Sequence, residues 1–242
     1  MDQVQQQFTV LLRNQGISVS DQQLQQFECY YQELVEWNEK MNLTAITGRE
    51  QVYVKHFYDS LSLSFFKDMN KVERMADIGS GAGFPGIPLK IMFPHLQLTI
   101  VDSLNKRILF LRQLIDKLGL KEVECVHSRA EDAGRLESHR DRYDLVTARA
   151  VARLAVLNEL CLPFTKPGGF FISMKGSETE NEMKEAAYSL KELKAEFVKL
   201  DRMELPIEHS VRHFVHIKKE GPTPKKYPRK AGTPVKNPLV KL

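Results

Sequence analysis

The sequence predicts an α/β fold, a doubly wound and mostly parallel seven-stranded sheet behind an N-terminal helical extension, on three observations. An apolar run at residues 72–78 feeds directly into Asp77-Ile78-Gly79-Ser80-Gly81-Ala82-Gly83-Phe84-Pro85-Gly86, and Gly86-Ile87-Pro88-Leu89-Lys90-Ile91-Met92 then starts a helix with proline in its first turn. The same order, strand then helix, recurs over residues 96–119. Strand-like runs at residues 123–126, 143–147, 169–174, 196–200 and 214–217 then alternate with helical stretches, the rhythm of parallel strands joined by crossover helices.

Taken in chain order, residues 1–70 form a helical extension without strand rhythm. Ser20-Asp21-Gln22-Gln23 is a capping-box start, and Leu24, Phe27, Tyr31, Leu34 and Met41 mark one face of a long helix. Asn38 falls on that stripe, where a polar amide needs a partner; it either orients Asn42 and the loop beyond or serves the helix C-terminus. Residues 71–217 are the α/β domain. Its second strand runs into Asp102, after which Ser103 is placed to cap a helix with the stripe Leu104, Ile108, Leu111, Ile115, Leu118, ending at Gly119. Residues 218–242 form a basic, proline-rich arm.

Composition narrows the class. At 242 residues and 42% apolar content, the chain can bury roughly 70% of its unfolded surface, which excludes a disordered protein. No apolar stretch approaches the roughly 20 residues of a membrane span, and Met1-Asp2-Gln3 opens no charged-then-apolar leader, so a cytoplasmic address is expected. Cys29, Cys125 and Cys161 form no C-x-x-C and are expected as buried small hydrophobes. No H-E-x-x-H occurs, and His209, His213 and His216 divide between two faces of a strand, so no metal site is expected. From residue 218 onward eight Lys or Arg stand against Glu220 alone, leaving 27 basic and 30 acidic residues of the totals of 35 and 31 in the body. Five of the eleven prolines share this tail, which reads as an extended cationic arm for a polyanion, or else as a solubilising extension. Its removal is expected to weaken polyanion binding and leave any cofactor affinity alone.

The glycine loop reads in two registers. Gly81-Ala82-Gly83-Phe84-Pro85-Gly86 fits the dinucleotide fingerprint G-x-G-x-x-G, in which a pyrophosphate sits on the helix N-terminus. Asp77, at the end of the strand, would repel that anion, whereas S-adenosylmethionine brings a sulfonium and an ammonium; D-x-G-x-G-x-G therefore favours the methyl donor. About 20 residues on, Asp102 is placed to accept both ribose hydroxyls. Ligands of such sheets bind outside the carboxyl ends of the strands. Those ends carry Asp77, Asp102, His127-Ser128-Arg129-Ala130-Glu131, Ala148-Arg149-Ala150 and Lys175. Ala130 and Glu131 stand where a loop would cover the adenine, and Arg149 and Arg153 where a substrate would enter.

Trp37-Asn38-Glu39-Lys40-Met41-Asn42-Leu43-Thr44, His56-Phe57-Tyr58-Asp59-Ser60, the loop of residues 77–86, Val101-Asp102-Ser103-Leu104-Asn105-Lys106-Arg107 and Thr147-Ala148-Arg149-Ala150-Val151-Ala152 together closely resemble the RsmG (GidB) family. That resemblance covers nearly the whole chain, including Lys225-Lys226-Tyr227-Pro228-Arg229-Lys230. It implies a Rossmann-like class I methyltransferase, dependent on S-adenosylmethionine, that acts on guanine N7 in 16S ribosomal RNA, in the decoding-region loop of the small subunit. It also implies donor contacts at Gly79, Phe84, Ala130, Glu131 and Arg149. The residues themselves add Asp77, Ser80, Gly81, Gly83 and Asp102 to the donor site, and Arg149, Arg153, Lys175, Lys225, Lys226, Arg229 and Lys230 as RNA contacts. Guanine N7 loses no proton on attack, so no general base is required. In keeping with that, no N-P-P-Y motif follows the 143–147 strand, and no cysteine stands at a strand end. Catalysis is then positioning, with Arg149 holding guanine O6 or a flanking phosphate. Neither an obligate protein partner nor a membrane is implied. Two other classes are compatible with parts of the pattern: an NAD(P)-dependent oxidoreductase, which Asp77 argues against, and a noncatalytic ribosome-assembly factor binding RNA, which would not need Asp77 and Asp102.

Overall fold

Asp2 and Ser20 each begin a helix by the same device, a short polar side chain accepting from a backbone amide of the first turn. Asp2 caps α1 (Gln3–Arg13) and Ser20 caps α2 (Asp21–Met41), where the reciprocal bond from Gln23 completes the capping box. The computed structural model describes residues 1–149, 152–176 and 179–241. α2 buries Leu24, Phe27, Tyr30, Glu33 and Leu34. Tyr30 thus takes the core position expected of Tyr31, and Met41 is half-buried, because the stripe drifts around a long helix. Asn38 orients the loop, its Oδ1 accepting from the Thr44 amide at 2.8 Å. Next, α3 (Arg49–Val52) continues through a π-helical turn (Tyr53–Tyr58) into α4 (Asp59–Leu61).

The α/β domain contains β1 (Arg74–Ile78), α5 (Gly86–Met92), β2 (Gln97–Asp102), α6 (Asn105–Leu118), β3 (Val123–His127), α7 (Ala130–Ala133), β4 (Tyr143–Arg149), α8 (Leu154–Cys161), β5 (Thr165–Lys175), α9 (Thr179–Glu192), β6 (Ala195–Glu204) and β7 (Val211–Lys219), and α10 (Thr233–Lys236) follows. The strand order is β3-β2-β1-β4-β5-β7-β6. β1 to β5 pair in parallel, and β7 lies antiparallel to both β5 and β6. Order reverses between β1 and β4, which opens a crevice at their carboxyl ends. β6 and β7 outgrow their sequence-predicted spans because each supplies the other with a full antiparallel ladder.

Four local expectations are corrected. β1 begins at Arg74 rather than at residue 72. Ser103 does not cap α6; Leu104 stands at the N-cap position with its side chain exposed and its amide donating to Asp102 Oδ1, and no side chain caps the helix. Of the three cysteines only Cys161 is buried, while Cys29 and Cys125 are half-buried. The tail, finally, is not an extended arm. Its Tyr227 and Leu239 join the core, Lys219 is fully buried on Asp141, Arg229 grips buried Glu159, and Lys226 pairs with Glu192. Acidic groups of the body thus answer three of the eight tail cations. Ala150 and Val151, part of the 147–152 motif, lie outside the described residues. Among the described residues no helix is long and apolar enough to cross a membrane, and no group of three metal-binding side chains occurs.

Candidate active site

Gly79, Gly81 and Gly83 have φ of 72°, 64° and 99°, the left-handed region that side chains disfavour. These turns carry the chain from β1 over the crevice and into α5. The crevice holds a cavity of about 500 Å³, within the range of small-molecule sites. Of the residues expected there, Gly79, Ser80, Gly81, Phe84, Asp102, Ala130, Glu131 and Arg149 line it. Asp77 and Gly83 do not.

Asp77 sits beneath the loop, wholly buried, its Oδ2 accepting from the Ser80 hydroxyl at 2.6 Å and the Gly86 amide at 2.8 Å. It braces the turn, which corrects the expectation that it stands on the cavity wall: the loop's own donors, Ser80 and Gly86, take it up beneath the turn. Its Oδ1 has no partner. Burial pushes the carboxyl up to about 6, against those two hydrogen bonds, which pull it down. The folded protein therefore keeps a proton on Asp77 where the unfolded chain has lost it. Stability from this group is fully present below about pH 4 and is lost as pH rises to about 6. Asp77→Asn should remove that slope and stabilise the unliganded protein at pH 7 by about 3 kcal/mol. Urea unfolding of both proteins at pH 4 and pH 7 reads the difference; equal stabilities at pH 7 would contradict it.

Asp102 does face the cavity. Its Oδ2 accepts from the Gly81 amide at 3.0 Å and from Arg107 at 3.3 Å, so one carboxylate ties the glycine loop to the end of β2. Across the crevice, Ser128 to Glu131 form the opposite wall.

The third wall is aromatic and cationic. Phe84 stacks between Tyr30, at 5.3 Å between centroids, and His56, at 4.6 Å; the Arg149 guanidinium lies over the same ring at 4.9 Å. Arg149 is held by Asp59 Oδ2 at 3.1 Å, while Asp59 Oδ1 accepts from Arg212 at 2.9 Å. His56 Nε2 lies 2.8 Å from the Thr44 hydroxyl. Burial and then the charge of Arg149 push the imidazole down to about 3, so the ring is neutral and a weak base.

The remaining candidates are scattered. Arg153 is exposed and pairs with Glu185, Lys175 is engaged by Glu182 and the Ala152 carbonyl, and Lys225, Lys226 and Lys230 are exposed on the tail. Arg229 is occupied by Glu159. Leu43, Thr44, His56, Arg107 and Val235 line the cavity without having been singled out as site residues. The polar residues of the 37–44 and 56–60 motifs hinted at the first three; Val235 had no signal.

Solved methyltransferases share this architecture. M. jannaschii TYW2, in complex with AdoMet, matches with a TM-score of 0.55 over 68% of this chain and 76% of its own at 13% identity. A SAM-dependent O-methyltransferase from Thermotoga maritima matches with a TM-score of 0.50 over 77% of this chain and 71% of its own at 18% identity. The fold is that of the class I S-adenosylmethionine-dependent methyltransferases. In sequence, the GidB family, rRNA small subunit methyltransferase G, matches residues 23–211. Proteins named Ribosomal RNA small subunit methyltransferase G from Bacillus licheniformis and Exiguobacterium sibiricum are each 54% identical, over 96% and 97% of this chain and 98% and 99% of their own lengths. The chain belongs to the rRNA small subunit methyltransferase G family.

Proposed function

We propose that this protein transfers the methyl group of S-adenosylmethionine to N7 of a guanine in the decoding-region loop of 16S ribosomal RNA, in the cytoplasm. The observation that carries the reading is the Arg149–Phe84–His56 step beside a glycine loop with bare backbone. It holds a planar cation ready for a purine at the cavity wall, and its one imidazole is too weakly basic to take a proton, which N7 attack does not release. The unpartnered, buried Oδ1 of Asp77 and the bare glycines suit a cationic donor. Asp102 would accept the ribose hydroxyls, Ala130 and Glu131 would flank the adenine, and Gly79, Ser80, Gly81 and Phe84 would meet the methionine end. When bound, the donor supplies an electrophilic methyl group; the chain's residues align it with N7 and exclude water. Lys225 and Lys230, exposed on the tail, are on offer to RNA phosphates, and the exposed Arg153 and Lys226 would exchange Glu185 and Glu192 for them.

Methyl transfer from labelled donor to unmodified small subunits and to naked 16S RNA, with N7-methylguanine mapped by reductive strand cleavage, tests the reading. One modified guanine is expected; label without N7-methylguanine would overturn it. Asp102→Ala should weaken donor binding by about 1.5–3 kcal/mol for each charge-assisted bond lost. Calorimetry on the folded variant measures this, and an unchanged affinity would take Asp102 out of the site.

A further inference from the structure

Glu131, at the start of α7 on the cavity wall, is nearly fully buried, and its carboxylate is engaged by the tail. The Oε1 accepts from the Gly232 amide at 2.8 Å, across 101 positions of sequence. Gly232 has φ of 82° and turns the chain into α10, which sets Val235 on the cavity. Val235 is 63% exposed, an apolar side chain left open at the rim.

The turn is anchored on both sides. Before it, Arg229 binds both oxygens of the fully buried Glu159 at 2.6–3.1 Å, through its side chain, and adds its backbone amide at 2.7 Å. Past α10, Leu239 is buried in the core beside α8, and the Arg229 guanidinium also reaches the Asn237 carbonyl at 2.7 Å. Glu159 lies on α8 next to Leu160, itself a lining residue, so the clamp and the cavity share one helix. A free RNA arm would need none of these contacts.

We infer that residues 229–239 are a wall of the methyl-donor cavity, fastened by Glu131, so that donor binding and tail docking stabilise each other. The inference rests on the donor site proposed above and goes further: it assigns Glu131 a positioning role through its side chain and assigns Val235 a contact with the donor. It also reverses the expectation that the tail leaves cofactor affinity alone. Coupling of this kind is reciprocal, since whatever the docked tail adds to donor affinity the donor adds to docking.

The test uses the full chain with S-adenosylhomocysteine as the probe and no RNA. Val235→Asp leaves the fold unburdened, because the side chain is mostly exposed, yet puts a charge where the ligand would meet an apolar group. Its Kd should rise about tenfold, or about 1.4 kcal/mol. Val198→Asp, at an exposed position on β6, should bind as wild type. Trypsin gives the reverse direction. S-adenosylhomocysteine should slow cleavage after Lys230 and Lys236 in the wild type. Glu131→Ala should speed it without ligand, and Glu131→Gln, which keeps an acceptor oxygen, should restore the slow rate. Wild-type affinity in Val235→Asp, or cleavage rates indifferent to the ligand, would overturn the inference while leaving the donor site standing. A wild-type protein that binds no S-adenosylhomocysteine would overturn the donor site and this wall together.

Discussion

Arg149→Lys should lower turnover about a hundredfold, some 2.7 kcal/mol of barrier, while the fold survives. The side chain works through its plane as well as its charge. It covers the Phe84 ring, bonds Asp59 and reaches the Lys55 carbonyl at 3.4 Å. An ammonium is a point donor on a flexible stem, and it cannot both cover the ring and keep the fixed approach to Asp59. Arg212 would hold Asp59 in place in the variant, so the damage should stay local. Steady-state kinetics at saturating donor and RNA, together with a thermal melt, separates the two effects. Turnover at the wild-type rate would show that charge alone suffices.

Gly83→Ala should be the most damaging single methyl group in the loop. The added Cβ would lie 2.6 Å from the Tyr30 hydroxyl, 2.9 Å from Ile87 Cγ1 and 3.0 Å from Leu111 Cδ2, with φ at +99°. Those atoms belong to α2, α5 and α6, so no single side chain can yield. Tyr30 also donates to the Ala82 carbonyl at 2.5 Å, and displacing it would free the loop from the extension. A loss of about 2–4 kcal/mol is expected, from overpacking plus backbone strain. Gly81→Ala provides the contrast. Nothing lies within 4 Å of its Cβ, and only its φ of +64° is penalised, by about 1 kcal/mol. Denaturant titration of the two variants, with donor affinity measured alongside, decides. Equal stabilities would refute the packing argument.

Local patterns carried the fold. The apolar runs, the alternating glycines and the turn at Gly119 each depend on neighbours within a few residues, and so does the position of Asp102 at a strand end. Asp77 was legible as a special carboxylate but not in its direction, because whether it faces a ligand or the loop's own amides depends on the turn the glycines make. Thr44, His56 and Asp59 come from the helical extension and Arg212 from β7, 153 positions beyond Asp59, and only the packing of the extension on the sheet gathers them around Phe84 and Arg149. The tail was misread for a related reason. Its positive charge was plain, but the half-buried Asp141 and the buried Glu159 that receive Lys219 and Arg229 look in sequence like any other surface acids.

Val235 on the rim has a consequence for how the protein comes into being. Chains are synthesised from the N-terminus and fold as they emerge. Every strand of the sheet, the glycine loop and Asp102 precede residue 220, yet the rim is finished only when Gly232 reaches Glu131 and α10 forms. A nascent chain thus holds an open, unfinished cavity until residues 232–236 have left the ribosome, and a product truncated before Gly232 would keep the whole sheet without the rim.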